Sequence, residues 1–164
     1  MTDKVYNVLI LCTGNSARSI LGEALINHLG QGRFKGYSAG SQPTGKVNPY
    51  ALKTLEKHGI DSSGYRSKSW DEFGAPDAPQ MDFVFTVCGS AAGETCPLWP
   101  GHPMRAHWGV DDPAGVGSND EEAMAAFAKA FMILKRRVEL FMSLPVDKLD
   151  ALALKQQLAE IGQQ

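Results

Sequence analysis

An apolar run, Val8-Leu9-Ile10-Leu11, passes directly into Cys12-Thr13-Gly14-Asn15-Ser16-Ala17-Arg18-Ser19, and that stretch opens into a segment of helical spacing. A buried strand that turns straight into a helix leaves the first helical N–H groups unsatisfied and aimed at the turn. The positive end of the helix dipole faces the same point, so one tetrahedral anion fits there. Cys12 then lies beneath that anion. The helix N-terminus, the Arg18 guanidinium and a hydrogen bond from Ser19 all favour its thiolate, the nucleophilic form, and such surroundings lower a cysteine pKa by roughly one to five units. The expected oxyanion-binding set is Thr13, Gly14, Asn15, Ser16, Ala17, Arg18 and Ser19. In an isolated loop the same residue types would be an inert thiol and a surface charge; the strand before and the helix after argue otherwise.

Strands alternate with helical segments along the chain, without an internal repeat or low-complexity tract. Residues 5–11 read as a buried strand. Residues 19–29 place Ile20, Leu21, Ala24 and Leu25 at helical spacing, with Gly30 as the stop. A second strand is expected over 34–39, followed by a turn-rich loop over 40–47. Asn48 caps a helix over 49–58 that has Pro49 in its first turn, Ala51, Leu52 and Leu55 on one face, and Gly59 beyond its end. A short helix at 69–73, strands at 81–87 and 104–108, and a long helix over 121–143 complete the pattern. The long helix carries Phe127, Phe131, Leu134, Val138 and Phe141 as its apolar stripe. This alternation predicts an α/β fold, a three-layer open parallel sheet with helices on both faces. Pro145 breaks the long helix. Residues 144–164 then form an extension in which Leu149, Leu152, Leu154, Leu158 and Ile161 suit one more amphipathic helix, expected to pack on the domain formed by 1–143, with a partner-docking or dimer helix as the alternative.

Composition narrows the chemistry. The 164 residues make one domain, and a net charge of only −2 gives no field to attract nucleic acid or a membrane surface, so any anion must be selected locally. No apolar run approaches about 20 residues, and Met1 leads into the first strand without a signal-peptide pattern, which predicts a cytoplasmic protein. The three cysteines, Cys12, Cys88 and Cys96, lack paired metal-ligand spacing, so no metal is expected; their number fits nucleophilic or redox chemistry better than a disulfide framework.

The stretch from Cys12 to Ser19, together with Tyr37-Ser38-Ala39-Gly40 and Ala106-His107-Trp108-Gly109-Val110-Asp111-Asp112-Pro113-Ala114, resembles the low-molecular-weight protein tyrosine phosphatase fold over roughly residues 5–142. Cys88 in Thr-Val-Cys-Gly-Ser and Cys96 in Glu-Thr-Cys-Pro bring it closer to the thioredoxin-coupled arsenate reductases built on that fold. The resemblance implies that Cys12 attacks arsenate, that Arg18 and Ser19 bind and activate, and that the aspartate directly before proline is the general acid. That residue is Asp112, with Asp111 as its competitor. Proline restricts the preceding backbone and so fixes where the Asp112 carboxylate points. Phosphatases of this fold place an aromatic residue after Asp-Pro; here it is Ala114, which counts against a phosphotyrosine pocket.

The resemblance assigns the reductive half-reaction to Cys88, which attacks the Cys12 sulfur, and to Cys96, which draws the disulfide outward to an external thiol. Gly89, Gly93 and Gly101 give the intervening loop freedom to move. Thioredoxin is the expected reductant, with glutathione and glutaredoxin as the alternative; no cofactor is bound, and the protein is expected to be a monomer. Asn15 matches a position that holds the loop open, and Ser38 and Glu23 match positions that fix Asn15, in some members around potassium. Lys68 aligns where those members carry a further carboxylate, so its ammonium is expected to supply the cation. His107 and Trp108 either line the pocket or pack at the strand end. The rival enzymatic reading is a low-molecular-weight phosphatase hydrolysing phosphomonoesters, with Cys88 and Cys96 as bystanders; a non-enzymatic rival is an anion sensor that keeps the cradle for binding alone.

Overall fold

The computed structural model describes residues 5–87 and 103–163. Its sheet is organised around β1 (Tyr6–Cys12), whose last five residues are all buried. A strand buried on both faces must be central, and β1 is: β2 (Phe34–Gly40) pairs with it on one side, β3 (Phe83–Thr86) on the other, and β4 (Met104–His107) lies outside β3. Every pairing is parallel. The chain leaves β1 for β2 on one side and later returns to the other side, so the strand order reverses at β1. In open parallel sheets a ligand crevice forms at such a switch point, beyond the carboxyl ends of the strands. Cys12 is the final residue of β1 and sits opposite Gly40 in the β1–β2 register.

Alternate side chains of β1 serve two cores. Val8, Ile10 and Cys12 pack with the helices α1 (Arg18–Gly30), α2 (Pro49–Lys57), α3 (Asp120–Met142) and α4 (Ala151–Ile161), all of which contribute to one apolar cluster. Leu9 and Leu11 face a smaller cluster with Ala39, Phe73, Met81 and Val84. That second face is covered, among the described residues, by the 3-10 helix Trp70–Phe73. The α/β layering is therefore the expected one, with a heavy helical layer on one side. Phe141 is the hub of the larger core: its ring lies 4.9–5.9 Å from those of Phe34, Phe83, Phe85 and Trp108. All five expected stripe residues of α3 are buried.

The element ends differ from expectation for local reasons. Gly30 does not stop α1 but is its last residue; Gln31 takes the left-handed cap at φ 47°. The β3 strand is shorter than 81–87, yet Met81 and Val87 remain buried, and the amides of Asp82 and Val87 still bond to the carbonyls of Asn7 and Leu11. Asn48 caps α2 as expected, its side chain accepting from the Tyr50 amide. In α4, Leu154, Leu158 and Ile161 are buried, whereas Leu152 is 78% exposed and off the stripe. Trp108 donates its indole N–H to the Leu158 carbonyl at 3.1 Å, tying α4 to the end of β4.

Candidate functional site

The turn after Cys12 is built by outward-facing carbonyls. Thr13 O accepts from Gln42 N and Gly14 O from Thr44 N, both at 3.0 Å; Ser16 O accepts from Asn48 N at 2.8 Å. Gly14 O also accepts from Ser67 Oγ at 3.0 Å. In a trans peptide the N–H points opposite to the C=O, so tying these carbonyls outward turns the following amides toward the centre of the turn. Gly40 permits the close approach: a Cβ there would lie 2.3 Å from the Thr13 carbonyl oxygen. Ala17 stands at the N-cap of α1 and offers no side-chain cap, which leaves the helix's first N–H groups for whatever occupies the turn.

Asn15 holds the turn from below. It is fully buried at φ 47°, a left-handed conformation that asparagine tolerates better than most residues. Its amide nitrogen donates to Ser19 Oγ at 2.8 Å and Ser38 Oγ at 3.0 Å, and its oxygen accepts from Lys68 N at 2.9 Å. Ser38 donates in turn to Glu23 Oε1 at 2.5 Å. Lys68 Nζ closes the network, 3.4 Å from Ser38 Oγ, 3.8 Å from Glu23 Oε1 and 3.0 Å from the Arg66 carbonyl. Burial pushes the Glu23 carboxyl above its usual pKa, opposed by the Ser38 hydrogen bond and the Lys68 charge. Burial likewise pulls the Lys68 ammonium below its usual value, against the attraction of Glu23. For both groups desolvation outweighs the pairing, as expected when charges leave water.

A cavity of about 340 Å³ opens above this platform, lined by Cys12, Thr13, Gly14, Ser16, Ala17, Arg18, Thr44, Asp112 and Ala114. Cys12 is buried at its floor, 6% exposed. Arg18 donates from Nη1 to the Val110 carbonyl at 2.8 Å, and its Nη2 lies 3.5 Å from Asp112 Oδ2. Asp112 is half exposed, and its Oδ1 accepts from Ala114 N at 2.9 Å, a local turn that sets the direction of the carboxylate. Asp111, the competing acid, does not line this cavity; it borders a smaller one of about 210 Å³ on the α3 side of the same loop.

Five of the seven expected cradle residues, Thr13, Gly14, Ser16, Ala17 and Arg18, line the cavity, whereas Asn15 and Ser19 lie beneath it as supports. Glu23, Ser38 and Lys68 come together around Asn15. His107 and Trp108 are not at the site. Trp108 is fully buried and stacked on Phe85 at 3.9 Å, and His107 is paired through Nδ1 with Thr86 Oγ1 at 2.7 Å, so packing at the strand end accounts for both. Cys88 and Cys96, with Gly89, Gly93 and Gly101, lie outside the described residues. Sequence reasoning missed Thr44 on the cavity wall and the bracing by Gln42, Asn48 and Ser67. No apolar period marks them: Gln42 and Thr44 fall in the turn-rich loop over 40–47, Asn48 reads only as a helix cap, and Ser67 carries no signal.

Among the described residues no helix is long and apolar enough to cross a membrane. The family Low molecular weight phosphotyrosine protein phosphatase matches residues 7–157, so its span includes most of α4 as well as the sheet. Among curated proteins the chain is 38% identical over 134 residues to an arsenate reductase of Shouchella clausii, an alignment that covers 82% of this chain and 93% of that one. It is 40% identical over 136 residues to an arsenate reductase of Bacillus licheniformis, again covering 82% and 93%. Among solved structures it is similar to an arsenate reductase in the phosphate-binding state, with a TM-score of 0.69 and 29% identity over 85% of this chain and 98% of that one. Cys12, Arg18 and Asp112 lining one cavity over a braced turn agree with these likenesses: the chain belongs to the low molecular weight phosphotyrosine protein phosphatase family, among relatives that are arsenate reductases.

Proposed function

We propose that this protein reduces arsenate to arsenite in arsenic detoxification. The observation that carries the reading is the meeting of Arg18 and Asp112, 3.5 Å apart, over a cavity with Cys12 at its floor. Arsenate enters the cradle and is held by the inward amides and by the planar fork of Arg18, which releases Val110 to grip it. The Cys12 thiolate attacks arsenic, Asp112 protonates the departing oxygen, and water leaves. Cys88 then attacks the Cys12 sulfur. The S–As electron pair goes to arsenic, arsenite departs, and a Cys12–Cys88 disulfide remains; Cys96 exchanges into it and passes the disulfide to thioredoxin. Glutaredoxin with glutathione is the alternative donor. The reaction belongs in the cytoplasm, where such reductants are kept reduced, and a monomer suffices for it.

Two features favour this over phosphomonoester hydrolysis. The curated relatives from Shouchella clausii and Bacillus licheniformis, each aligned over 82% of the chain, are arsenate reductases. The cavity wall next to Asp112 is Ala114, which offers no ring to hold an aryl group. Incubating the reduced protein with arsenate, NADPH, thioredoxin and thioredoxin reductase should consume NADPH in proportion to arsenite formed, with an aryl phosphate turned over poorly. Good aryl phosphate hydrolysis without arsenite formation would establish the phosphatase instead. Iodoacetamide near pH 6 should label Cys12 faster than Cys88 or Cys96, with sulfate or phosphate protecting it. Equal labelling of all three would argue against an activated thiolate.

Lys68 supplies within the chain the positive charge that Glu23 and Ser38 would otherwise draw from a cation. Reduction should therefore proceed equally in potassium and choline salts. Lys68→Met should leave Glu23 buried without its partner and lower stability at neutral pH by about 1–3 kcal/mol. The raised Glu23 pKa fixes the sign: the cost fades as pH falls and the carboxyl takes up a proton, and grows as pH rises through its folded-state pKa. Denaturant titrations across that range check the trend, and a cost independent of pH would contradict the pairing.

A further inference from the structure

Between the end of β4 and Asp112 the chain runs through Trp108, Gly109 and Val110, and two guanidinium groups hold the carbonyls of these three consecutive residues. Arg137, on α3, donates from Nη1 to Trp108 O at 2.8 Å and to Gly109 O at 2.9 Å. Arg18 donates to Val110 O at 2.8 Å. Arg137 is 6% exposed on a helix face that is otherwise apolar, with Leu134, Val138 and Phe141 as its buried neighbours. A leucine or methionine would fill such a place without the cost of burying a cation, so the charge is explained by what it binds, not by packing. On the sheet side the same segment is pinned by Trp108 N to Thr86 O at 2.7 Å and Val110 N to Val87 O at 3.0 Å. The backbone therefore leaves β4 with its direction set from both sides, two residues before Asp112.

We propose that Arg137 is a positioning residue for the general acid: by fixing the carbonyls of Trp108 and Gly109 it sets the path of the loop and so the placement of Asp112 beside Arg18. The inference rests on the reading of Asp112 as the proton donor. Without Arg137 the two carbonyls turn toward other partners and the loop relaxes, while the cradle, braced separately by Gln42, Thr44, Asn48 and Ser67, keeps its shape. Binding of the anion should survive and protonation should suffer.

The test is a double-mutant comparison on the single-turnover release of arsenite from pre-reduced protein, with phosphate inhibition as the measure of anion binding. Arg137→Met should slow release by about tenfold or more, since misplacing a general acid forfeits part of a contribution of 10²–10⁴. Its inhibition constant for phosphate should change by less than about threefold. Arg137→Lys, which keeps the charge and can reach one carbonyl, should be intermediate, and it carries the same comparison if Arg137→Met does not fold. In an Asp112→Asn background either substitution should add less than about twofold, because the group it positions is already gone. Losses that multiply in the double mutant, or a folded Arg137→Met protein with an unchanged rate, would overturn the inference while leaving Asp112 as the acid. An unchanged rate in Asp112→Asn alone would instead remove the acid assignment, and the inference with it.

Discussion

Replacing Cys12 with serine is expected to abolish arsenate reduction while leaving the fold and the anion site in place. Serine at neutral pH presents almost no oxyanion, and loss of a nucleophile from a cooperating site costs on the order of 10⁴–10⁶ in rate. Phosphate binding should persist, because the cradle is shaped by backbone groups whose carbonyls are tied to Gln42, Thr44, Asn48 and Ser67, none of which depends on the thiol. Calorimetric phosphate titration and the coupled NADPH assay, run on the same preparation, separate the two properties. A Cys12→Ser protein that still released arsenite would end the proposal; one that lost phosphate binding as well would show that the thiolate, not the braced loop, organises the site.

The strand-to-helix junction was legible because its signals are local. Four apolar residues, a cysteine, small polar residues and an arginine six positions on can be read without knowing what else packs there; that the strand is central, with Cys12 opposite Gly40 at its carboxyl end, is seen only in the structure. The α3 stripe was legible for the same reason: Phe127, Phe131, Leu134, Val138 and Phe141 repeat at helical spacing and all are buried. Leu152 shows the limit, since spacing alone did not separate it from the buried Leu154 and Leu158.

What was not legible depends on contacts distant in sequence. Ser67 reaches Gly14 across 53 residues and Arg137 reaches Trp108 across 29. A surface loop and an arginine within a helix carry no periodic signal for such roles, because a backbone carbonyl can be met by any donor that the fold brings near. The support around Asn15 lies between these cases. Its members could be named from resemblance, but the order of the bonds, Lys68 to Ser38 and Glu23 and both serines to one amide, is a property of packing. The displacement of Asn15 and Ser19 from the cavity wall to the layer beneath it has the same origin: Asn15 takes φ 47°, and Ser19, in the first turn of α1, is held to it by the hydrogen bond from the Asn15 amide.

The largest difference between this reading and a phosphatase lies in the two later cysteines. Val87 ends the described part of that strand region, its amide on Leu11 O and its carbonyl taking the Val110 amide, so Cys88 follows a residue bonded both to β1 and to the loop that carries Asp112. In Cys88→Ser, Cys12 can still take up arsenate and Asp112 can still protonate the leaving oxygen, but no second thiolate attacks the Cys12 sulfur. Reaction should stop at the adduct, with arsenite release down by at least about 10³, as for loss of a nucleophile. In Cys96→Ser one equivalent of arsenite should appear, followed by a stalled Cys12–Cys88 disulfide that thioredoxin reaches poorly. Mass spectrometry of the wild type after arsenate should find Cys88 joined to Cys96, since exchange carries the bond toward the outer thiol. Sustained turnover with thioredoxin in both variants would show that neither cysteine takes part, and the same cradle, with Arg18 and Asp112 over Cys12, would then be that of a phosphomonoesterase.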